Sequence, residues 1–190
     1  MAKKEESYNE AIEKLRRIVA EIDKDELDAA ILAGGTCPDR ITAHELFDAR
    51  FYAYVSPDNP LFARTNLRIE DIANKDLLLL AEGHCLRYQV LELCGLNHKQ
   101  EHPYSFQSGS LETLMRIVDS TDKITVIPEM AIPYLSESAR SRVKSLARGA
   151  ASRKIVIGVR RPYAKESIVN ALRETIVEEV KKNSTPNGWI

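Results

Sequence analysis

The segment DLLLLAEGHCLRYQVLELC, residues 76–94, decides how the chain is read. Four leucines, Leu77 to Leu80, make an apolar run of strand length. Gly83 follows as a turn residue. From Cys85 onward the apolar positions Leu86, Val90, Leu93 and Cys94 recur at helical spacing, which predicts a helix from Cys85 to Leu96. Strand, glycine-containing turn and helix in succession are the building unit of an α/β fold.

Toward the N-terminus, residues 7–24 place Ile12, Leu15, Ile18, Val19 and Ile22 three and four apart among charges, the pattern of an amphipathic helix packed on a sheet. Leu27 to Ala33 is a short apolar run closed by Gly34 and Gly35, expected to be a strand buried on both faces. Glu45 to Val55 is rich in aromatic residues and reads as a long strand ended by Pro57 and Pro60. Arg68 to Ala73 suits a short helix. Toward the C-terminus, a polar stretch with His98 and His102 leads to an expected strand at Tyr104 to Gln107. Ser108, Gly109 and Ser110 then start a helix with Leu111, Leu114, Met115 and Val118 on one face. Lys123 to Ile127 and Lys154 to Val159 read as strands and Lys165 to Lys182 as a last helix, with residues 183–188 loosely attached. Strands alternating with helices predict an α/β fold with largely parallel sheets.

The 190 residues carry 27 Lys+Arg against 28 Asp+Glu, a net charge of −1, with 44% hydrophobic residues and three cysteines. Such a chain can bury a core without disulfide or zinc staples. A charge so near zero argues against a polypeptide that grips nucleic acid by itself, because that affinity comes from clustered Lys and Arg. Between Arg140 and Lys165 stand nine Lys or Arg and no acid. Lacking interleaved aromatics beyond Tyr163, this stretch reads as a solvated basic edge rather than a nucleic-acid patch. No apolar run approaches the roughly 20 residues that cross a bilayer, and the N-terminus lacks the apolar core of a signal peptide. The expected location is cytoplasmic, with no membrane partner.

Three cysteines are too few and too odd in number for a secreted disulfide framework. Cys85 falls in the first turn of a helix, where backbone N–H groups and the helix dipole favour an anion, and His84 and Arg87 would favour it further if they turn toward the sulfur. Cys85 is therefore a candidate reactive thiolate. In a continuous helix the nine residues to Cys94 advance about 13.5 Å, whereas a disulfide needs Cα atoms roughly 5.5 Å apart. Pairing the two would require the helix to unwind, so a disulfide here would act as a conformational switch. Peroxide oxidation of Cys85 to a sulfenic acid followed by condensation with Cys94 is the matching chemistry. The alternative is that both cysteines are small buried hydrophobes, and the residues alone leave both readings open.

The run Gly83-His84-Cys85-Leu86-Arg87 with a second cysteine at Cys94 resembles the peroxide-sensing segment of the OxyR group of LysR-type transcriptional regulators. Leu27 to Leu32, Glu45 to Asp48, Ser110 to Leu114, Ile124 to Pro128 and Val159 to Pro162 resemble that group in the same order, so that the resemblance covers residues 18–180. It implies a LysR-type effector domain of two Rossmann-like lobes, like a type II periplasmic binding protein. Residues 1–49 and 155–190 would form lobe I, and residues 50–154 lobe II with the redox cysteines. Cys85 would be the peroxidatic thiol and Cys94 its resolving, disulfide-forming partner, with Gly83, His84, Leu86 and Arg87 around the thiolate.

The resemblance further implies hydrogen peroxide as the signal and an activator that works as a homodimer or tetramer. Promoter DNA would be bound through an N-terminal helix-turn-helix outside these residues, RNA polymerase recruited, and the disulfide reduced by a glutaredoxin or thioredoxin system. The chain would begin after the first strand and helix of lobe I. Two positions depart from the pattern: Leu15 stands where a pocket threonine is usual and Tyr88 where an acid is common. No cofactor or metal is expected, since His98 and His102 lack further ligands at suitable spacing. Cys37 reads as an incidental loop thiol and Ser110 as a helix cap. Two other functions are weighed. A LysR-type effector domain could bind a small organic ligand between its lobes, but the spaced cysteine pair argues against it. A thiol peroxidase shares the first chemical step, but nothing resembles a peroxidase signature, so the chain is not expected to be an enzyme.

Overall fold

The computed structural model describes Glu13 and residues 16–33, 41–74, 76–81, 84–96, 109–147, 152–161 and 165–183, with backbone only at Cys85 and Asn183. The strand expected at Tyr104 to Gln107 and the tail at residues 184–188 lie outside the described residues. The chain divides into two compact units. One, the terminal unit, comprises Ile12–Ala49 and Ser152–Trp189; the other, the mid-chain unit, contains Arg50–Ala151.

The terminal unit contains helix α1 (16–23), strand β1 (Ala29–Ala33), the first nine residues of β2 (Ile41–Val55), β6 (Ser152–Arg160) and helix α6 (Glu166–Asn183). β6 lies between β1 and β2, and β1 runs antiparallel to it, Ala29 opposite Val159 and Ala33 opposite Ile155. Alternate residues serve opposite faces because side chains in a strand have a period of two. Ala29 and Ala33 pack with Ile155, Ile157, Val159 and the α6 residue Val169, whereas Ala30 packs with Ile41 and the α1 residues Val19 and Ile22. A helix thus covers each face. β1 departs from the expectation of a strand buried on both faces: four of its residues are half-buried and the central Ile31 is 60% exposed. Its position at the end of the strand order leaves it with one described neighbour.

The mid-chain unit holds the remaining β2 residues with β3 (Asn66–Leu67), β4 (Ile124–Pro128) and β5 (Val143–Leu146), and helices α2 (Ile69–Ile72), α3 (Cys85–Leu93), α4 (Leu111–Asp119) and α5 (Glu137–Arg140). Phe51 to Val55 pair antiparallel with β4 and Tyr52 to Tyr54 antiparallel with β5, while β3 joins β5 in parallel. Three of the four described registers are therefore antiparallel, which corrects the expectation of largely parallel sheets. The chain leaves β4 through short helical turns and returns on the other side of β2 as β5. No long crossover helix, which parallel neighbours demand, intervenes. α4 follows its sequence signals: the Ser110 hydroxyl accepts from Thr113 N at 3.4 Å, Glu112 pairs with Arg116 at 2.8 Å, and Leu114, Met115 and Val118 are buried.

The leucine run is buried but does not form a strand. Leu77 makes an isolated parallel bridge to Ile124, Leu78 N donates to Ile124 O at 2.7 Å, and Ile124 N donates to Asp76 O at 3.0 Å. Leu79 stands in a second isolated bridge, and side chains reach the carbonyls of the run as well. Thr125 Oγ1 donates to Leu78 O at 3.0 Å, and Arg87 Nη1 donates to Leu80 O at 3.0 Å. Lys123 Nζ, 2.8 Å from Asp76 Oδ1, pins the start of the run.

Candidate functional site: the two ends of helix α3

α3 begins at Cys85, as the sequence predicts, because His84 leaves the helical conformation and caps it. His84 Nδ1 accepts from Leu86 N at 3.3 Å. An accepting Nδ1 carries a lone pair, so the capping imidazole holds no proton on that nitrogen. Cys85 occupies the first helical position, where unpaired backbone N–H groups and the positive end of the helix dipole favour a thiolate. Its side chain lies outside the described atoms, as do Gly83, Cys37, His98 and His102.

Leu86, Arg87, Val90 and Leu91 are buried. Leu86, Arg87 and Val90 face a small cavity completed by Leu78, Leu79, Leu80, Leu114, Thr125 and Val126. Arg87 is 5% exposed, and its guanidinium Nη1 donates to the Leu80 carbonyl. Thr125 and the Leu80 carbonyl are the site contributors that reading the sequence missed. The signal for Thr125 is a hydroxyl inside an otherwise apolar strand, Ile124 to Ile127.

The other end of α3 differs from expectation. The helix stops at Leu93, three residues short of Leu96, with Cys94 as its C-cap and Gly95 at φ +60°. Leu96 N donates to Leu91 O at 2.9 Å and Gly95 N to Glu92 O at 3.0 Å, the paired bonds of a Schellman cap, whose left-handed position glycine occupies without a Cβ penalty. Apolar periodicity runs on through Leu96, but the glycine ends the helix. Cys94 is a free, partly buried thiol, and burial pushes its pKa up from an ordinary 9.0 to about 11. It therefore remains protonated at neutral pH, which suits a thiol that waits rather than one that attacks. With one cysteine at each end of a nine-residue helix, the disulfide distance is out of reach while α3 is folded.

The basic stretch is largely paired within the chain. Arg142 Nε lies 3.3 Å from Asp119 Oδ1, Lys154 pairs with Glu45, Arg160 Nη1 lies 2.6 Å from Asp25 Oδ2, and Lys165 Nζ lies 2.6 Å from Asp28 Oδ1. Lys144 sits over the Phe62 ring, 4.4 Å from its centroid. Among the described residues no group of three His, Cys, Asp or Glu is placed to hold a metal ion, and no helix is long and apolar enough to cross a membrane.

The chain is similar to several known proteins. A hydrogen peroxide-inducible genes activator of Mycobacterium avium, so named with the qualifier "probable", is 34% identical over 137 residues, 72% of this chain and 43% of that protein. The DNA-binding transcriptional dual regulator OxyR of Escherichia coli K12 is 32% identical over 117 residues, 62% of this chain and 38% of that protein. The chain thus spans about two-fifths of the length of these curated relatives. Among solved structures, an OxyR mutant from Porphyromonas gingivalis superposes with a TM-score of 0.74 at 28% identity, over 86% of this chain and 75% of that one. The reduced OxyR regulatory domain from Pseudomonas aeruginosa gives 0.72 at 28%, over 85% and 78%. These neighbours share the α/β architecture of type II periplasmic binding proteins. Residues 12–181 match the LysR substrate binding domain, and the chain belongs to that family.

Proposed function

We propose that this chain is the signal-receiving domain of a hydrogen-peroxide-responsive LysR-type transcriptional regulator, switched by a reversible Cys85–Cys94 disulfide. The observation that carries the reading is the placement of Cys85 at the first position of α3 and of a free Cys94 at its C-cap. The Cys85 thiolate attacks one peroxide oxygen, the O–O bond breaks, and the departing hydroxide takes a proton to become water, leaving a sulfenic acid. The Cys94 thiol then displaces the sulfenic oxygen as a second water. Two thiols give up two electrons and one peroxide becomes two waters. Because a folded α3 keeps the sulfurs apart, the second step requires the helix to unwind, which also relieves the burial that holds Cys94 protonated. Relatives named as hydrogen peroxide-inducible genes activators support this signal.

Gly83, His84, Leu86 and Arg87 would surround the reactive thiol. Residues 1–49 with 155–190 would form one lobe and residues 50–154 the other. The unwound segment would alter the packing of a homodimer or tetramer and so its hold on promoter DNA and RNA polymerase, with a glutaredoxin or thioredoxin system resetting the disulfide. Relatives named as transcriptional regulators support a sensor rather than an enzyme. Peptide mapping under non-reducing conditions after one equivalent of hydrogen peroxide tests it: a Cys85–Cys94 crosslink, absent in Cys85→Ser, is expected. Two free thiols after that treatment would overturn the reading.

A further inference from the structure

Arginine is seldom buried, because removal of its charge from water is costly unless hydrogen bonds replace the lost hydration. Arg87, two residues after Cys85, is buried and donates to the Leu80 carbonyl at 3.0 Å. Leu80 ends the segment that β4 holds through Leu78 and Thr125. The bond therefore ties the first turn of α3 to the sheet. Around it Leu86 and Val90 face the apolar side chains of Leu78, Leu114 and Val126, and the guanidinium bond is a directed polar contact between that turn and the segment held by β4. When α3 unwinds, the guanidinium and the carbonyl both return to water, and the bond is lost only in that state.

We infer that Arg87 is a positioning residue whose hydrogen bond to Leu80 latches the reduced form of α3 and so sets how reducing the surroundings must be for the Cys85–Cys94 disulfide to open. This rests on the disulfide reading above. Loss of the latch weakens the docked, reduced helix and leaves the unwound, oxidised one unchanged, so the disulfide persists under more reducing conditions.

The test equilibrates the full chain in a Cys37→Ser background with glutathione buffers of graded ratio, traps the thiols, and quantifies the crosslink by mass spectrometry. It compares the unsubstituted Arg87 chain with Arg87→Met, which keeps an apolar stem without a donor, and Arg87→Lys, which keeps the charge and a donating ammonium without the planar guanidinium fork. Hydrogen exchange of the α3 amides and thermal unfolding of the reduced protein are followed in parallel. Arg87→Met is expected to move the midpoint ratio of reduced to oxidised glutathione about tenfold toward reducing conditions, about 30 mV. Arg87→Lys should fall between, and the α3 amides should exchange faster while those of β4 do not. A midpoint within twofold of the Arg87 chain in both variants overturns the latch, even if the melting temperature falls, because it reduces Arg87 to a structural role. A shift in the opposite direction overturns it too, because the buried charge would then be driving release. If the Arg87 chain forms no crosslink at any ratio, the disulfide reading itself fails and the latch with it.

Discussion

The two ends of α3 are built from opposite materials. At the N-terminal end the contacts are polar: an imidazole caps the helix, a buried guanidinium reaches a main-chain carbonyl, and a cavity lies beneath. At the C-terminal end a Schellman cap closes the helix beside a half-buried thiol, with Leu91 packed fully inside. The first environment favours a negative charge and the second opposes one. One helix therefore offers its two cysteine positions opposite electrostatic surroundings, and the difference comes from position rather than from residue type.

Packing should show the same asymmetry. Leu91 is 1% exposed, and Leu91→Ala is expected to cost toward the upper part of the ~2–5 kcal/mol range for buried leucines. Leu86 is 5% exposed and borders the small cavity, so Leu86→Ala should fall near the lower end, about 2 kcal/mol. Urea unfolding of the reduced protein reads both, and the reverse order would break the contrast between a loosely packed and a tightly packed end.

Thiol titration probes the difference directly. Burial favours the neutral thiol of Cys94, so its folded pKa, about 11, lies above its ordinary 9.0. Its contribution to stability is complete below pH 9 and is lost as pH rises toward 11. In a Cys37→Ser, Cys85→Ser background, alkylation of Cys94 at pH 8 should run roughly a hundredfold slower in the folded chain than in urea. The rate in the folded chain should rise with a midpoint near 11. A midpoint at the ordinary value would mean that the C-terminal end gives the thiol no protection.

Much of this was legible in the residues because the signals were local. Apolar periodicity and the Ser110 cap located α4, and the apolar runs located β4 and β6. The cysteine pair stood out by spacing. What the sequence concealed depended on partners far along the chain. Leu77 to Leu80 has the composition of a strand, yet Thr125 and Arg87 take its carbonyls. β5 was hidden inside the basic stretch because Val143 is its one fully buried residue. The end of α3 was misplaced although its signal was local, since Gly95 ends a pattern that Leu96 would continue.

Gly95 also offers the finest test of which end yields first. Its φ of +60° is a conformation that costs a residue with a Cβ roughly 1–2 kcal/mol, and a Cβ built there would meet nothing within 4 Å. The penalty of Gly95→Ala is therefore backbone strain without a clash. α1 ends on the same geometry with a different residue: Asp25 sits at φ 58°, Asp25 N donates to Ile22 O at 3.2 Å and Glu26 N to Glu21 O at 2.9 Å. An aspartate or asparagine side chain tolerates this region better than alanine does, so Gly95→Asn should lose less than Gly95→Ala. If the C-terminal cap opens during oxidation, alanine strains only the reduced helix. The glutathione midpoint then moves toward the disulfide by about fivefold, the equivalent of about 1 kcal/mol. If the helix peels from Arg87 alone and the cap survives, the strain is present in both redox states and cancels. The protein then melts earlier at an unchanged midpoint. Because the proposed disulfide must bring Cys94 back across nine residues, the fivefold shift is the expected result, smaller than that of Arg87→Met because alanine strains the backbone at one residue whereas methionine removes a charged hydrogen bond.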